Sequence, residues 1–411
     1  MKIRRLAALL LSFTFILCGC NNGDLKTSNK HKQLTTKQKV EDFEYLYTIL
    51  KENYPYFQLN KRVNNVDWLL NKEKYEKAIK ETKSDEEFFN CIKEALKDLH
   101  NGHTNILNSE GYFLFKDMFK NIPPPNQTLD ILTDKRAVER YGETQTNKEE
   151  DSQLNADHST KDNVTTTIVE KDKTAYLGVK SFNNINMNNQ EFETIYRFLK
   201  DIKDYKTLII DIRGNGGGNE SYWRDYIVAP LINEPLMQKT YCIFRGGSYT
   251  QNILKSTFGN SYDTMVLPID KLKKENLSKL PQEIFTDFKY YLKNIDIISP
   301  KGPVGFKGKI YLLVDERVYS SSEGFAIFAK STGFATVVGE KTGGDGIGIS
   351  PTLGVLPNSG YVFRYPQEMG LKSDGSSDEE FKTEPDIKVD AKKSSSLMED
   401  PAVKKVLELT K

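Results

Sequence analysis

Apolar side chains recur every three to four residues in the first quarter of the chain, which is the pattern of amphipathic helices. The first such run begins near residue 37 and stops before Pro55. A second run opens at Ser84, which is followed three residues later by Glu87, a spacing typical of a helix capping box. The pattern therefore predicts a small helical domain over residues 37–105.

The pattern changes from about residue 174, where short apolar runs alternate with helical periods. The predicted buried strands are 175–179, 207–212, 309–314 and 335–339. A helix is predicted over 321–331, directly after the third of these strands. Strands alternating with helices are typical of an α/β sheet with helices packed on it. We expect this α/β domain to cover residues 174–395 and a C-terminal helix to follow over 396–411.

The region between these two domains, residues 106–173, gives weaker signals. Residues 141–166 contain many Asn, Asp, Glu, Thr and Ser and almost no apolar side chains. Such a stretch buries too little apolar surface to offset the entropy lost on ordering. The sequence therefore predicts a linking region that contains a mobile polar loop.

The composition argues against one class of partner, nucleic acid. The chain has 411 residues, with 58 basic and 57 acidic side chains and a net charge of +1. Binding to nucleic acid needs a concentrated basic surface, and this balance gives no reason to expect one. The hydrophobic fraction of 38% is sufficient for a globular protein with a substantial core.

The first twenty residues form a different kind of segment. Three basic residues precede an apolar stretch over 6–17, which is too short to span a bilayer. The stretch ends in Leu17-Cys18-Gly19-Cys20, which resembles the lipobox of bacterial lipoproteins. An ordinary signal peptide or a short membrane anchor is the alternative.

The lipobox resemblance implies that residues 1–19 are a signal peptide and that Cys20 is lipidated. Residues 20–36 would then be a flexible tether between the membrane and the folded part. The protein would lie in a bacterial cell envelope, anchored by lipid and facing away from the cytoplasm. We predict no disulfide between Cys91 and Cys242, because two lone thiols are more often separate buried hydrophobes.

Two turns that follow predicted strands carry candidate chemistry. The turn over 211–218 has four glycines in five positions and exposes backbone N–H groups, which suits a phosphate cradle or an oxyanion hole. A tight strand-to-helix turn is the simpler interpretation. The second turn places Ser320, Ser321 and Ser322 at a helix start, where free N–H groups favour a developing oxyanion. A serine there is also a favoured helix N-cap.

A serine nucleophile needs a base, and histidine is the usual base near neutral pH. The chain has four histidines. His31 lies in the predicted tether and His158 in the polar loop, which leaves His100 and His103 as candidates. Gly102 would allow an unusual backbone path beside His103, although a lone histidine near a helix end is usually structural or solvated.

Four motifs in order resemble the C-terminal-processing and tricorn-core serine peptidase family. They are Gly-His-Thr, Asp-x-Arg-x-Asn-Gly-Gly-Gly, Ser-x-x-Glu at a helix start, and Val-Gly-Glu-Lys-Thr-Gly-Gly at a strand exit. The resemblance covers about 38–110 and 174–390 and is most specific over 207–218 and 310–344. It implies the α/β spiral fold shared with Clp protease and crotonase, here with an N-terminal helical domain. It also implies a serine endopeptidase that cleaves peptide or protein substrates through an acyl-enzyme. We expect no metal or cofactor, because no His, Cys or Asp cluster in the sequence has the spacing of metal ligands.

The resemblance assigns the nucleophile to Ser320, three residues before the glutamate of the motif. A register shift to Ser321 or Ser322 remains an alternative. The backbone N–H of Ser321 and that of Gly217 or Gly218 would form the oxyanion hole.

The family activates its serine in two ways. One branch has a lysine 25 residues after the nucleophile, but Asp345 holds that position here, which argues against a Ser/Lys dyad. The tricorn-like branch uses a histidine and a late glutamate. His103 matches the histidine, and Glu379 is the predicted glutamate, with Glu380 close behind. Its role would be to fix the imidazole tautomer and stabilise the imidazolium.

Two other functions remain open at this point. The missing lysine is compatible with a non-catalytic lipoprotein that binds a peptide or an apolar ligand on the same fold. A crotonase-type acyl-CoA enzyme is less consistent, because the Ser-x-x-Glu motif and the secretion signal would serve no purpose there. Many family members also carry a peptide-binding PDZ domain, and residues 105–173 show no intact PDZ pattern.

Overall fold

The computed structural model describes residues 33–143, 163–183 and 189–411. The predicted signal peptide and Cys20 lie outside these residues, together with His31, His158 and most of the predicted tether and polar loop. None of the helices in the described part has the length and apolar character needed to cross a bilayer. Cys91 and Cys242 are both free thiols.

Helices dominate the chain as far as residue 141. They are α1 (Thr36–Asn53), α2 (Phe57–Asn64), α3 (Lys72–Glu81), α4 (Asp85–Lys97), α5 (Ser109–Phe119), α6 (Gln127–Leu132) and α7 (Lys135–Tyr141). Ser84 caps α4 by accepting a hydrogen bond from the N–H of Glu87, as predicted. The Glu87 carboxylate accepts from the N–H of Lys83 instead of completing the capping box. Helices α5 to α7 extend the helical part beyond the boundary predicted at residue 105.

The remaining helices accompany or connect strands. They are α8 (Asn189–Asp201), α9 (Glu220–Trp223), α10 (Ala229–Leu231), α11 (Ser248–Phe258), α12 (Tyr262–Met265), α13 (Ile284–Asp287), α14 (Ser321–Thr332), α15 (Asp378–Phe381) and α16 (Pro401–Leu409). The predicted helix at 321–331 corresponds to α14, and the predicted C-terminal helix corresponds to α16 with a later start.

The strands of the described residues form three sheets. They are β1 (Asn105–Ile106), β2 (Val164–Glu170), β3 (Thr174–Val179), β4 (Thr207–Asp211), β5 (Leu236–Phe244), β6 (Val266–Pro268), β7 (Tyr290–Ile298), β8 (Lys309–Val314), β9 (Thr336–Gly339), β10 (Thr352–Val355), β11 (Val362–Tyr365), β12 (Met369–Leu371) and β13 (Ile387–Lys388).

The six-stranded sheet has the order β13-β9-β8-β4-β3-β2 and is parallel except for the β2–β3 pair. Every residue of β3 and β4 is buried, because helices cover both faces of a parallel sheet. One face packs against α8 and α14, and the other against α16. The sheet confirms the predicted α/β class, and the helices before it confirm the N-terminal helical part.

Two antiparallel sheets complete the fold, in the orders β12-β5-β7-β6 and β1-β11-β10. Strand β1 pairs with β11 through the registers Asn105 with Arg364 and Ile106 with Phe363. This pairing ties the segment after α4 to the C-terminal part of the chain. The histidine segment is thereby brought next to residues far away in sequence.

A buried ion-pair network holds the turn that follows β4. The Arg213 guanidinium contacts Asp211 at 2.7 Å and Asp400, the N-cap of α16, at 2.9 Å. All three side chains are buried. Because removing one partner of such a network would leave a buried charge unpaired, the network fixes the start of the glycine turn in place.

Candidate active site

The carboxyl ends of β4, β8 and β9 lie side by side, and each leads into a segment of the candidate site. The glycine turn follows β4, Ser320 follows β8, and residues 340–345 follow β9. The last two segments are joined by backbone hydrogen bonds from Gly343 N–H to Val318 O at 2.7 Å and from Ser320 N–H to Gly344 O at 3.1 Å. Open α/β sheets bind ligands at this edge.

Ser320 has a backbone conformation that non-glycine residues rarely adopt, with φ 58° and ψ −125°. It precedes α14 but makes no side-chain capping bond, so it is not a conventional N-cap serine. Its Oγ has no hydrogen-bond partner among the described residues. The Ser321 hydroxyl accepts from the Trp223 indole, and the Ser322 hydroxyl donates to Asn215. Of the three serines, Ser320 has the uncommitted hydroxyl.

The glycine turn offers one free N–H. The N–H of Gly217 donates to Asn215 Oδ1 at 2.9 Å, so it is already used. The N–H of Gly218 finds no acceptor within the described part of the chain, nor does the N–H of Ser321. A Cβ at Gly218, whose φ is +134°, would lie 2.3 Å from the carbonyl carbon of Phe182, so only glycine fits. Gly218 and Ser321 therefore hold the free amides of the predicted oxyanion hole.

His103 is buried, with 4% of its surface exposed, and lines the same pocket as Ser320. Its Nδ1 lies 2.7 Å from Asp345 Oδ2. Its Nε2 is buried and has no hydrogen-bond partner in the described structure. Asn101 accepts the backbone N–H of His103 at 3.0 Å, and the Tyr319 ring packs on the imidazole with centroids 4.9 Å apart. The imidazole is thus fixed on one side and free on the other.

Asp345 receives several other hydrogen bonds. Asn101 Nδ2 donates to it at 3.0 Å, the Tyr319 hydroxyl at 3.1 Å and the Tyr56 hydroxyl at 3.3 Å. Donors arranged around a carboxylate stabilise its ionised form. Asp345 holds the position of the family's dyad lysine, and here it contacts the imidazole.

The geometry corrects the expectation that Glu379 orients the ring. Glu379 Oε1 accepts from Asn101 Nδ2 at 3.1 Å and makes no hydrogen bond with His103. Asn101 therefore lies between Glu379 and the aspartate that contacts the ring. Glu380, the alternative glutamate, forms an ion pair with Arg62 at 2.6 Å and also has no contact with the imidazole. The reason is that α15 directs Glu379 toward the asparagine, while the 340–345 segment fills the space beside the ring.

The three buried ionisable side chains of the site, His103, Asp345 and Glu379, have shifted pKa values. Burial lowers the pKa of His103 below its ordinary 6.5, although Asp345 opposes this shift. Burial works against ionisation of Asp345, but the charge of His103 and hydrogen bonds from His103, Asn101 and Tyr319 together lower its pKa. Burial and then the Asp345 charge raise the pKa of Glu379 well above its ordinary value. Near neutral pH the imidazole is therefore neutral and Asp345 is negatively charged, while burial favours the neutral form of Glu379.

Sequence reasoning did not select Asp345, Asn101 or Tyr319 as site residues. The available signal was an acidic residue between two glycines, Gly344 and Gly346, shortly after a predicted parallel strand. That signal identifies a loop at the active edge of the sheet but not its contacts. Among the described residues, no group of three or more His, Cys, Asp or Glu side chains is arranged to hold a metal ion.

The site therefore combines a serine at a strained strand-to-helix turn, free amides beside it and an imidazole bonded to a carboxylate, which is the design of serine hydrolases. The sequence matches the model of peptidase family S41 over residues 173–389, more than half of the chain. The chain belongs to peptidase family S41 and is a serine peptidase, which confirms the predicted family. Residues 36–97 match the model of the tricorn protease C1 domain.

Solved structures share the fold at low sequence identity. A candidate peptidase of Parabacteroides merdae is 22% identical with a TM-score of 0.57, over 90% of this chain and 96% of the other. Mature CPAF in complex with lactacystin is 12% identical with a TM-score of 0.55, over 86% and 94%. A lipoprotein of Streptococcus agalactiae is 14% identical with a TM-score of 0.50, over 90% and 96%. A comparison with curated proteins gave no match.

Proposed function

We propose that the chain is an endopeptidase that cleaves through an acyl-enzyme, with Ser320 as nucleophile and His103 as base. Asp345 takes the orienting role that the sequence assigned to Glu379. One observation carries the proposal. The imidazole is hydrogen-bonded to a carboxylate through Nδ1, its Nε2 has no partner in the described structure, and His103 lines the same pocket as Ser320.

The reaction follows from these groups. As Ser320 Oγ attacks the peptide carbonyl, His103 Nε2 accepts its proton, and Asp345 stabilises the imidazolium that forms. The free N–H groups of Gly218 and Ser321 donate to the oxyanion. The imidazolium then gives its proton to the leaving amine, and a water activated by the same imidazole hydrolyses the ester. A neutral, buried imidazole is in the correct state for the first step.

Reaction with a generic fluorophosphonate tests this proposal. Serine attack on phosphorus with loss of fluoride should give one adduct per chain, and peptide mapping by mass spectrometry should locate it on Ser320. Heat-unfolded protein should give no adduct, because activation depends on the assembled site. If the folded protein remained unlabelled, the result would favour the alternative hypothesis that the chain is a non-catalytic binding protein.

We also propose that residues 1–19 are removed and that lipid on Cys20 anchors the enzyme to the outer side of a bacterial membrane. The lipobox motif supports this, and one protein of similar fold is described as a lipoprotein. In a bacterial host, an alkyne analogue of palmitate should label the full-length chain and leave Cys20→Ser unlabelled, with that variant lost from the membrane fraction. Equal labelling of both chains would contradict the anchor.

A further inference from the structure

The pocket shared by Ser320 and His103 contains two carboxyl side chains that the proposed mechanism does not use. They are Glu220, the first residue of α9 after the glycine turn, and Glu368, between β11 and β12. Asp345 lines the same pocket, and none of the described residues that line it is a lysine or an arginine. Apart from His103, every ionisable side chain in this lining is therefore acidic.

Glu368 is almost fully buried, with 3% of its surface exposed. Its Oε1 accepts the backbone N–H of Ile349, but its Oε2 is buried and receives no hydrogen bond from any described residue. Burial, the largest influence, raises its pKa well above the ordinary value. An unsatisfied buried carboxyl oxygen is costly, and a side chain held this way at the edge of a ligand pocket needs a partner that the free protein does not supply.

The Glu220 carboxyl makes no hydrogen bond or ion pair within the described structure. Arg224, one helical turn further on, is committed to a bidentate pair with Asp296. A Cβ added at Gly324, in the first turn of α14, would lie 3.7 Å from Glu220 Oε1, so the carboxyl lies close to the helix that directly follows Ser320. Burial raises the pKa of Glu220 to about 7, with Arg224 opposing the shift.

We infer that this pocket receives the ammonium group of a substrate lysine at the residue whose carbonyl Ser320 attacks, because its volume of about 20 Å³ has room for one group of about the size of a water molecule. Glu220 and Glu368 would be the specificity-determining residues. This inference rests on the proposed peptidase function and names its substrate class. A cation entering the pocket supplies the missing partner for both carboxyls, whereas a neutral side chain of similar size leaves them unpaired, and sites discriminate most strongly against ligands that leave buried polar groups unpaired.

Two diphenyl phosphonate probes that differ only in side-chain charge provide the test. One carries a lysine side chain and the other the uncharged norleucine side chain, and each phosphonylates the serine with loss of phenol. Wild-type protein should react with the lysine probe about 10- to 100-fold faster, the range expected for a close charge pair. In Glu220→Gln and Glu368→Gln the ratio of the two rates should fall toward one. Glu234→Gln, at an exposed position outside the pocket, should keep the wild-type ratio.

The outcomes separate the two claims. If the generic fluorophosphonate labels Ser320 but the norleucine probe reacts as fast as the lysine probe, the cationic preference is refuted and the peptidase proposal stands. If no probe labels the folded protein, both fail. Should one glutamine variant not fold, as judged by circular dichroism, the wild-type ratio and the other variant still decide the question.

Discussion

Replacing Ser320 by alanine should reduce kcat for a fluorogenic peptide by a factor on the order of 10⁶, the loss typical of removing a serine nucleophile. The hydroxyl is the group that bonds to the substrate carbonyl, so no neighbouring side chain can replace it. The variant should fold normally, because the Ser320 hydroxyl makes no hydrogen bond in the described structure. Steady-state kinetics together with a thermal melt would measure both effects.

Ser322→Ala is the matched control, because it removes the same atom two residues away. Its hydroxyl donates to Asn215 at 2.7 Å, and loss of that bond should lower the free energy of unfolding by about 1 kcal/mol. The nucleophile would remain, so most of the activity should survive. The reverse pattern, with Ser320→Ala active and Ser322→Ala inactive, would move the nucleophile by two positions along the chain.

The turn that contains Ser320 could be predicted because its signals are local, whereas the choice of Ser320 within it came from the resemblance to the peptidase family. A buried apolar strand, a serine-rich turn and a helical period follow each other within about twenty residues, and parallel strands bring their carboxyl ends to one edge. The glycine turn was predicted from similar local signals, and the resemblance then named Gly217 or Gly218 as the amide donor. Choosing between Gly217 and Gly218 was not possible, since it depends on the side chain of Asn215, which accepts from one amide and not from the other.

The partner of His103 could not be predicted, because it depends on how distant segments pack. The segment 378–386 contains several carboxyls, and sequence order alone cannot show which of them faces the ring. Asp345 was recognised only as a residue in place of a lysine. The helices α5 to α7 were missed for a similar reason. Their apolar side chains pack in a separate cluster with β10 and β11, two strands that lie more than 200 residues further along the chain.

Replacing Asp345 by asparagine should reduce kcat by about 10⁴-fold, the loss expected when an amide replaces a carboxylate that orients the catalytic imidazole. Asparagine is almost the same size, but its amide nitrogen can donate to Nδ1 and favour the tautomer in which Nε2 already carries the proton. That tautomer cannot accept the proton of Ser320. Glu379→Gln is the matched control, because it makes the same carboxyl-to-amide change at a buried side chain that makes no hydrogen bond with the ring. Its kcat should fall by less than about 10-fold.

The pH profile distinguishes an orienting role of Asp345 from a merely structural one. Activity requires neutral His103, so kcat/KM in the wild type should fall as the pH drops through a pKa below 6.5. The Asp345 charge raises that pKa, so its removal in Asp345→Asn should shift the acid limb of the residual activity to lower pH. A loss of activity with an unshifted acid limb would indicate structural damage alone. An equal loss in Glu379→Gln and Asp345→Asn would return the orienting role to the glutamate.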